Sequence, residues 1–310
     1  MTNRTFAGIA IGAAVLAGAS AALAQVAARV PQRGTSEQLQ QLASKPTPKL
    51  ADGRIDFNGT WDHLGGIEFV RPQTRPDGSV CFIACPPAAG AARAAGQGPR
   101  AGGPPPAPFP PVQTDFPKYK PEFQAKVKEL TGQQVKFDTV LQCQPPGVPR
   151  IGPPAKIMQN AREVVFLYDD VNGSFFRIIP IDGRSYRKDV PASYLGDSIG
   201  RIEGDTLIIE TTNFRTDDGT VYQGANPETY KITERFTRVE DDTINYEFTI
   251  NDPTTWTKPW TAVIPWSKID PKEQMYEYMC HEDNFDIVHL LTGARNREKN
   301  PSLNLQPAKR

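Results

Sequence analysis

The sequence is poor in the residues and motifs that most enzyme classes require. It contains only three histidines, His63, His281 and His289, and their spacing fits no compact zinc signature such as H-E-x-x-H. A phosphate-binding glycine loop and a dinucleotide fingerprint are both missing, and we interpret no segment as a serine nucleophile elbow. These absences argue against redox and phosphoryl-transfer chemistry, and we predict neither a metal site nor a cofactor.

Charge blocks and long apolar runs are also scarce. Basic and acidic side chains number 35 each, without a basic block, so we predict no nucleic-acid partner. The one long apolar run, residues 6–18, falls short of the roughly 20 residues that a membrane helix needs. Arg4 precedes this run, and Ala22-Leu23-Ala24 forms an A-x-A cleavage site before Gln25. We therefore predict a signal peptide over residues 1–24 and a periplasmic or secreted mature protein without a membrane span.

The four cysteines, Cys81, Cys85, Cys143 and Cys280, are an even number, which favours disulfides in an oxidising compartment. Three connectivities exist for four cysteines. A ring between Cys81 and Cys85 encloses only residues 82–84 and is geometrically feasible, which leaves Cys143 to pair with Cys280. The favoured pairing is therefore Cys81–Cys85 with Cys143–Cys280, and in it Cys280 is structural rather than nucleophilic.

Composition divides the chain into segments. Residues 25–50 are expected to form a mobile lead-in, and residues 51–85 an N-terminal strand with the small disulfide loop. Residues 86–117 are rich in proline, alanine and glycine and contain almost nothing that could pack, so we predict a disordered insertion. A β-barrel domain is predicted over residues 118–298 and a flexible tail over residues 299–310.

One helix is predicted before the strands, over Pro121–Thr131, because proline stands in its first turn and Gly132 follows as a stop. After it the apolar residues recur every second position. Short strands joined by tight turns cannot form a parallel sheet, whose crossovers need a dozen residues or more. The sequence therefore predicts a mostly all-β fold, an antiparallel meander closing into a lipocalin-like barrel or else packing as a sandwich. The predicted strands cover residues 156–160, 163–168, 175–181, 197–202, 206–212, 230–239, 244–250, 260–264 and 275–281.

The hairpin around Gly204 can be given a register. If Glu203 and Thr206 flank the turn, one face carries Asp197, Arg201 and Glu210 and the other is apolar and small. In one interpretation the charged face meets solvent, and Arg201 with Glu210 is a weak surface ion pair. In the other the sheet closes with this face inward, where carboxylates act as acid or base. The sequence leaves both open.

Several motifs, in order, resemble a family of exported proteins of soil bacteria, Acidobacteria and sphingomonads among them. The resemblance covers roughly Asp52–Trp61 and residues 140–298 and implies architecture and compartment, but no particular reaction. It is consistent with the Cys143–Cys280 pairing, since both cysteine motifs are present. The motifs are Cys143-Gln-Pro-Pro-Gly-Val-Pro-Arg150, Asp182-Gly-Arg184, Gly196-Asp-Ser-Ile-Gly-Arg-Ile-Glu-Gly-Asp-Thr-Leu-Ile-Ile-Glu-Thr-Thr-Asn-Phe214, Thr233-Glu-Arg-Phe236, Asp252-Pro253, Thr257-Lys-Pro-Trp-Thr261, Tyr276-Glu-Tyr-Met-Cys-His-Glu-Asp-Asn284 and Gly293-Ala-Arg295.

Two positions depart from that family. Its members usually have tryptophan where this chain has Ile202, and commonly a histidine where this chain has Tyr186. If the family's chemistry used that histidine, this chain either lacks the activity or uses another group.

Three roles are open for His281: metal ligand, general base and structural donor. In a terminal strand over residues 275–281 it would share a face with Glu277 and point away from Cys280. As a base, it would need an orienting carboxylate such as Glu277 or Asp197. As a structural residue, it would bond a backbone carbonyl, while residues 282–284 cap the following segment.

The leading functional hypothesis is a barrel that binds a small organic molecule, an aromatic or terpenoid-like compound or a glycoside, with cofactor-free acid/base chemistry such as elimination, isomerisation or hydrolysis. The alternative is a non-catalytic cell-envelope binding or scaffold protein. The sequence assigns no oligomeric state. The predicted catalytic residues are His281 as base, Asp197 or Glu210 as its partner, and Arg184 or Arg201 to stabilise negative charge. The predicted ligand-binding residues are Trp256, Trp260, Tyr278, Asn213 and Glu282.

Overall fold

Strands make up most of the regular structure of the residues that the structure describes. The computed structural model describes residues 46–63, 73–83, 85, 112–133, 137–170, 172–215, 226–268, 275, 277, 279–280 and 285–300. The strands are β1 (Gly59–His63), β2 (Gln73–Thr74), β3 (Val80–Cys81), β4 (Val112–Gln113), β5 (Lys156–Gln159), β6 (Glu163–Asp170), β7 (Gly173–Pro180), β8 (Asp197–Glu203), β9 (Thr206–Thr212), β10 (Lys231–Glu240), β11 (Thr243–Asn251) and β12 (Trp260–Lys268). The helices described are α1 (Pro121–Gly132) and α2 (Phe285–Lys299), with a 3-10 turn at Thr139–Gln142.

Nine of these strands form one antiparallel, barrel-shaped sheet in the order β7-β6-β5-β1-β12-β11-β10-β9-β8, and β4 pairs with β12 beside this path. The order contains two meanders, β5–β7 and β8–β12, which β1 joins by pairing with both β5 and β12. β7 and β8 stand at the two ends of the order and lie beside each other, yet these two described strands form no ladder with one another. We call this boundary the seam. The predicted antiparallel barrel is confirmed, and the seam is where its ladder stays open.

The β8–β9 hairpin has the predicted register, with Arg201 opposite Ile208 and Ile199 opposite Glu210. Gly204 adopts a φ of 59° in the tight turn between the strands. Ser198 and Thr211 are buried on the inner face, whereas the Arg201 and Glu210 side chains on the outer face are 51% and 43% exposed. For Arg201 and Glu210, the structure shows the interpretation in which the charged face meets solvent.

Aromatic side chains fill the barrel interior. Phe236 stacks on Tyr246 with ring centroids 4.8 Å apart, and both rings contact Trp266. The loop after β3 covers part of the core, because Phe82 stacks on Trp260 at 4.9 Å. Apolar burial of this extent is the main stabilising contribution to a barrel of this size.

Arg238 is a second kind of core residue, a cation with a side-chain exposure of 0%. Its guanidinium donates to the backbone carbonyls of Asp56, Glu240 and Asp241 and lies 4.9 Å from the Trp61 ring centroid. It thereby joins the segment before β1 to the β10–β11 turn, and its hydrogen bonds offset the desolvation of the charge.

Both predicted disulfides are present, Cys81–Cys85 and Cys143–Cys280. The second one holds Cys280 beside the entry of the barrel, next to the 3-10 turn. Two disulfides are typical of proteins that fold in an oxidising compartment. Neither described helix combines the length and apolar character of a membrane-spanning segment.

The structure differs from the sequence prediction at the C-terminal end. In place of a strand over residues 275–281, the described residues of that stretch contribute one bridge, from Met279 to Gly173. Helix α2, which was not predicted, follows it. The barrel also takes in β1 and β4, so its sheet extends beyond the predicted boundaries of 118–298. Residues 1–45, 86–111 and 301–310 lie outside the described residues, and with them the predicted signal peptide and most of the lead-in, insertion and tail.

Candidate functional site

A cleft of about 490 Å³ lies along the seam. One wall comes from β7, another from β8, and the third from the connection between them, residues 181–196. We call it the seam cleft. Its lining residues are Pro145, Glu163, Phe176, Arg177, Ile178, Pro180, Arg184, Ser185, Arg187, Ser193, Tyr194, Leu195, Gly196, Asp197, Ser198 and Ile199.

A buried ion pair lies at the inner wall of the seam cleft. Arg177 on β7 and Glu234 on β10 have side-chain exposures of 3% and 2%. The Arg177 Nη2 donates to Glu234 Oε2 at 2.6 Å, and Nη1 donates to Oε1 at 3.2 Å. This two-point contact fixes the guanidinium plane, which is the geometry in which an arginine and a carboxylate interact most strongly.

Four hydroxyl groups surround this pair. Arg177 Nη2 also donates to Ser198 Oγ at 3.0 Å and Thr211 Oγ1 at 2.9 Å, while Tyr246 donates to Glu234 Oε1 at 3.0 Å. The Tyr168 hydroxyl lies 3.4 Å from Nη1. Arg177 thus connects β7 to β8, β9 and β10 by side-chain bonds where the backbone ladder is missing. Among the described residues, its Nε is buried without a hydrogen-bond partner.

Burial changes the titration of this network. Burial alone would lower the pKa of the Arg177 guanidinium, but the attraction of Glu234 outweighs it and raises that pKa. Burial raises the pKa of Tyr168 to about 12 and raises that of Tyr246 well above its ordinary value. The Arg177 guanidinium is therefore charged and both phenols are neutral over the physiological range, so the inner wall presents a fixed set of polar groups.

Two glycines allow the strands to approach at the seam. A Cβ on Gly200 would lie 3.0 Å from Ile179 Cγ2 and 3.1 Å from Ile181 Cγ2. Gly196 has a φ of 72°, and a Cβ there would lie 2.6 Å from both Thr211 Cγ2 and the Thr212 carbonyl oxygen. A side chain on Gly200 would push β8 away from β7, and a side chain on Gly196 would push the connection away from the end of β9.

The connection over residues 181–196 is held across the seam from the end of β9. Asn213, at a φ of 58°, donates its Nδ2 to the Val190 carbonyl at 3.1 Å. The Ser193 backbone N–H donates to the Asn213 carbonyl and its carbonyl accepts from the Arg215 N–H. The Arg215 guanidinium lies 4.4 Å from the Tyr194 ring centroid. Asn213, which was predicted as a ligand contact, thus holds the connection that forms one wall of the seam cleft.

Two arginines stand on this connection at the solvent side of the cleft. Arg187 Nη2 donates to Asp197 Oδ1 at 2.9 Å, with side-chain exposures of 65% and 12%. Arg184 donates to both oxygens of Asp182, at 2.8 and 2.5 Å. The hydrogen bonds from Arg184 lower the pKa of Asp182 to about 2. Each arginine is therefore held by a carboxylate while its head remains largely exposed.

The structure places the predicted catalytic residues that it describes in two different locations. Asp197 and Arg184 line the seam cleft. Arg201 and Glu210 lie on the outer face, where Arg201 also donates to Glu203 at 2.6 Å. The described residues therefore do not bring all four side chains into one inward cluster.

The predicted tryptophan platforms lie in the core rather than at an opening. Trp256 and Trp260 are 1% and 0% exposed, under Tyr119 and Phe82 respectively. In this arrangement neither ring offers a face to a ligand. The predicted residues His281, Tyr278 and Glu282 lie outside the described residues. Tyr186, at the position where the resembling family has histidine, is half-buried, and burial raises the pKa of its hydroxyl.

The sequence interpretation missed Arg177, Glu234 and Ser198. The alternation of inward and outward positions along the strand could have revealed Arg177. It shares a face of β7 with Phe175 and Ile179, so it falls on the buried face of an otherwise apolar strand. A charge at such a position requires a buried partner.

Ser198 stands at the centre of Gly196-Asp-Ser-Ile-Gly200, which does match the letters G-x-S-x-G that we did not interpret as an elbow. It lies within β8 rather than at a turn from strand to helix, as a nucleophile elbow requires. In the described structure Ser198 accepts a hydrogen bond from Arg177 and shares another with the Thr211 hydroxyl, and neither of these residues acts as a base. Ser198 is therefore a polar wall residue.

Within the described ranges, no three His, Cys, Asp or Glu side chains come together as metal ligands would. Compared with protein-family models, with curated proteins and with solved structures, the chain shows no significant match.

Proposed function

We propose that the protein binds a small organic molecule in the seam cleft. The observation that carries this proposal is a cleft of about 490 Å³ placed where the barrel ladder is open and bordered by a buried arginine. Small-molecule sites commonly have volumes of roughly 300–1,000 Å³ and combine apolar walls with a few fixed polar groups. The seam cleft has this composition, with Phe176, Ile178 and Arg177 on the β7 wall and Ser198 on the β8 wall.

The rigidity of the inner wall supports binding. Arg177 is held by Glu234 and by two hydroxyl groups before any ligand arrives. A wall whose side chains are already fixed loses little conformational entropy when a ligand binds.

We also propose that the protein is exported and belongs to the family of soil-bacterial proteins that it resembles. The two disulfides support an oxidising compartment. Expression of the full chain followed by N-terminal sequencing of the secreted or periplasmic form tests the export part. Cleavage before Gln25 is expected, and a cytoplasmic, uncleaved protein would contradict it.

Acid/base chemistry in the cleft is the finer part of the proposal. The positions of Asp197 and Arg184 in the lining support it, since one supplies a carboxylate and the other a cation beside bound ligand. The proposed base is His281, with Asp197 as its partner. Elimination, isomerisation and hydrolysis all remain candidates for such a set.

The test of binding is native mass spectrometry of the purified mature protein against pooled plant phenolics, terpenoids and glycosides. The variant Ser185→Trp places a large ring in the cleft at an exposed position, and Thr257→Trp is the control at an exposed position outside it. Bound ligand in the wild type and in Thr257→Trp, with loss in Ser185→Trp, is the expected result. A wild type that retains no compound contradicts the proposal.

The test of chemistry uses the same pools with His281→Ala. Product formed by the wild type and lost in His281→Ala supports the acid/base role. Ligand retained without conversion in both proteins would make the protein a binder, the non-catalytic alternative.

A further inference from the structure

Resting on the proposed function, we infer that the ligand of the seam cleft is an uncharged, hydroxyl-rich molecule with an aromatic or apolar portion, of which an aryl glycoside is the simplest chemical class. Three observations point to this class: the charge balance of the cleft, the paired donors and acceptors at its solvent side, and an apolar strip that continues out of it.

The charge balance of the seam cleft disfavours an anionic ligand. The lining contains Arg177, Arg184 and Arg187, and each of them is paired with its own carboxylate, Glu234, Asp182 or Asp197. Glu163 adds a further carboxylate to the lining. Among the described residues, three guanidinium groups are thus matched by four carboxylates. A ligand carboxylate therefore finds no uncompensated cation in the cleft.

The solvent-side ion pairs suit hydroxyl groups. In the Arg187–Asp197 pair the guanidinium uses one nitrogen, Nη2, for its hydrogen bond to Asp197 Oδ1 within the described structure. Its other N–H donors and the carboxylate oxygens stand side by side at the cleft, with the Ser185 and Ser193 hydroxyls beside them. A hydroxyl both donates and accepts, so adjacent hydroxyls on a sugar ring match adjacent donors and acceptors, whereas a purely apolar compound would leave them unsatisfied.

An exposed apolar strip extends from the cleft over the outer face of β5–β7. Met158 is opposite Val165, which is opposite Ile178, and Leu167 is opposite Phe176. Phe176 and Ile178, which line the cleft, are 62% and 55% exposed, and Met158 is 47% exposed. Contiguous apolar surface that begins inside a polar cleft fits a ligand with one apolar end.

The experiment compares three probes that share one aromatic group: 4-nitrophenyl β-glucoside, 4-nitrophenyl β-glucuronide and the per-O-methylated glucoside. Dissociation constants are measured by isothermal titration calorimetry on the mature protein with its disulfides intact. We expect the glucoside to bind at least tenfold more tightly than the glucuronide, which adds a carboxylate, and than the methylated compound, which lacks hydroxyl donors.

Two variants, each with a control variant, test the residues. Asp197→Asn releases Arg187 and should reduce the discrimination against the glucuronide to less than about threefold, while Glu210→Gln on the outer face should leave it unchanged. A fourth probe, methyl β-glucoside, lacks the aromatic group. Phe176→Ser should reduce the preference for the 4-nitrophenyl glucoside over this methyl glucoside. Met158→Ser, which changes the strip outside the cleft lining, should reduce that preference by a smaller factor. Failure of Asp197→Asn to alter the discrimination overturns the assigned role of the pair.

The outcomes separate this inference from the proposed function. Equal binding of all three probes, or binding of another pooled compound but no glycoside, overturns the inference and leaves small-molecule binding intact. Binding of no compound at all overturns both.

Discussion

Removing one partner of the buried Arg177–Glu234 pair should destabilise the barrel far more than removing one partner of the exposed Arg201–Glu210 pair. In Glu234→Gln the guanidinium stays buried, with 3% side-chain exposure, and loses its counter-charge. Breaking a buried pair in this way costs about 3–5 kcal/mol, whereas an exposed pair contributes about 1 kcal/mol or less. Since domains are stable by roughly 5–15 kcal/mol, the loss is a large fraction of the total.

Urea unfolding followed by tryptophan fluorescence measures this difference, because the four tryptophans, Trp61, Trp256, Trp260 and Trp266, are all buried. With a slope of about 3 kcal/mol per molar urea, the midpoint for Glu234→Gln should fall by about 1 M or more, and that for the control Arg201→Gln by a few tenths of a molar at most. The samples are kept oxidised so that the disulfides do not contribute.

The double variant Arg177→Met/Glu234→Gln completes the cycle. Replacing both charges is expected to cost about 2 kcal/mol, well short of the sum of the single variants, because no charge remains buried alone. Single variants within about 1 kcal/mol of the wild type, or additive losses in the double variant, would refute the reasoning.

Three further results are expected. Gly196→Ala should lower the unfolding midpoint strongly and weaken cleft ligands, because its φ of 72° and a 2.6 Å approach leave no room for a Cβ; a wild-type-like midpoint would contradict this. Since the pKa of Tyr168 is raised from 10.0 to about 12, the stability from its neutral form is complete below pH 10 and is lost between pH 10 and 12, by roughly 3 kcal/mol. The stability of the wild type should fall across that range relative to the stability of Tyr168→Phe, and parallel curves would oppose the prediction. Replacing Cys143–Cys280 by serines, a separation of 137 residues, should cost about 5 kcal/mol, against about 2 kcal/mol for Cys81–Cys85, a separation of 4 residues, in thermal unfolding; equal losses would show that loop closure is not the cause.

Local patterns were sufficient for the hairpins but not for the closure of the sheet. The β8–β9 register follows from the turn at Gly204 and from alternation, both of which are visible within 16 residues of sequence, Asp197–Thr212. The position of β1 between β5 and β12 depends on pairing between distant segments, which periodicity does not encode. The end of the chain was misjudged because Met275–His281 alternates like a strand while the disulfide and one bridge determine its path.

The same distinction explains the candidate site. The outward position of Arg201 could be deduced only together with the direction in which the sheet curves, and a single hairpin does not specify that direction. Arg177 and Glu234 lie on the buried parity of their strands, yet their partnership joins β7 to β10 across the seam. The alternation along each strand could have identified Arg177 and Glu234 as buried charges. Only the structure of the barrel shows that the two side chains pair with each other.

The position of β1 also affects how the chain folds. Its ladder joins Trp61, near the start of the described chain, to Lys268, near its end. The two meanders can form from neighbouring hairpins. In contrast, β1, which joins them, cannot pair on both sides until β12 has been synthesised. A nascent chain that stops before Trp260 therefore has two half-sheets and a first strand that is paired only on its β5 side, and the barrel can assemble only once β12 is available.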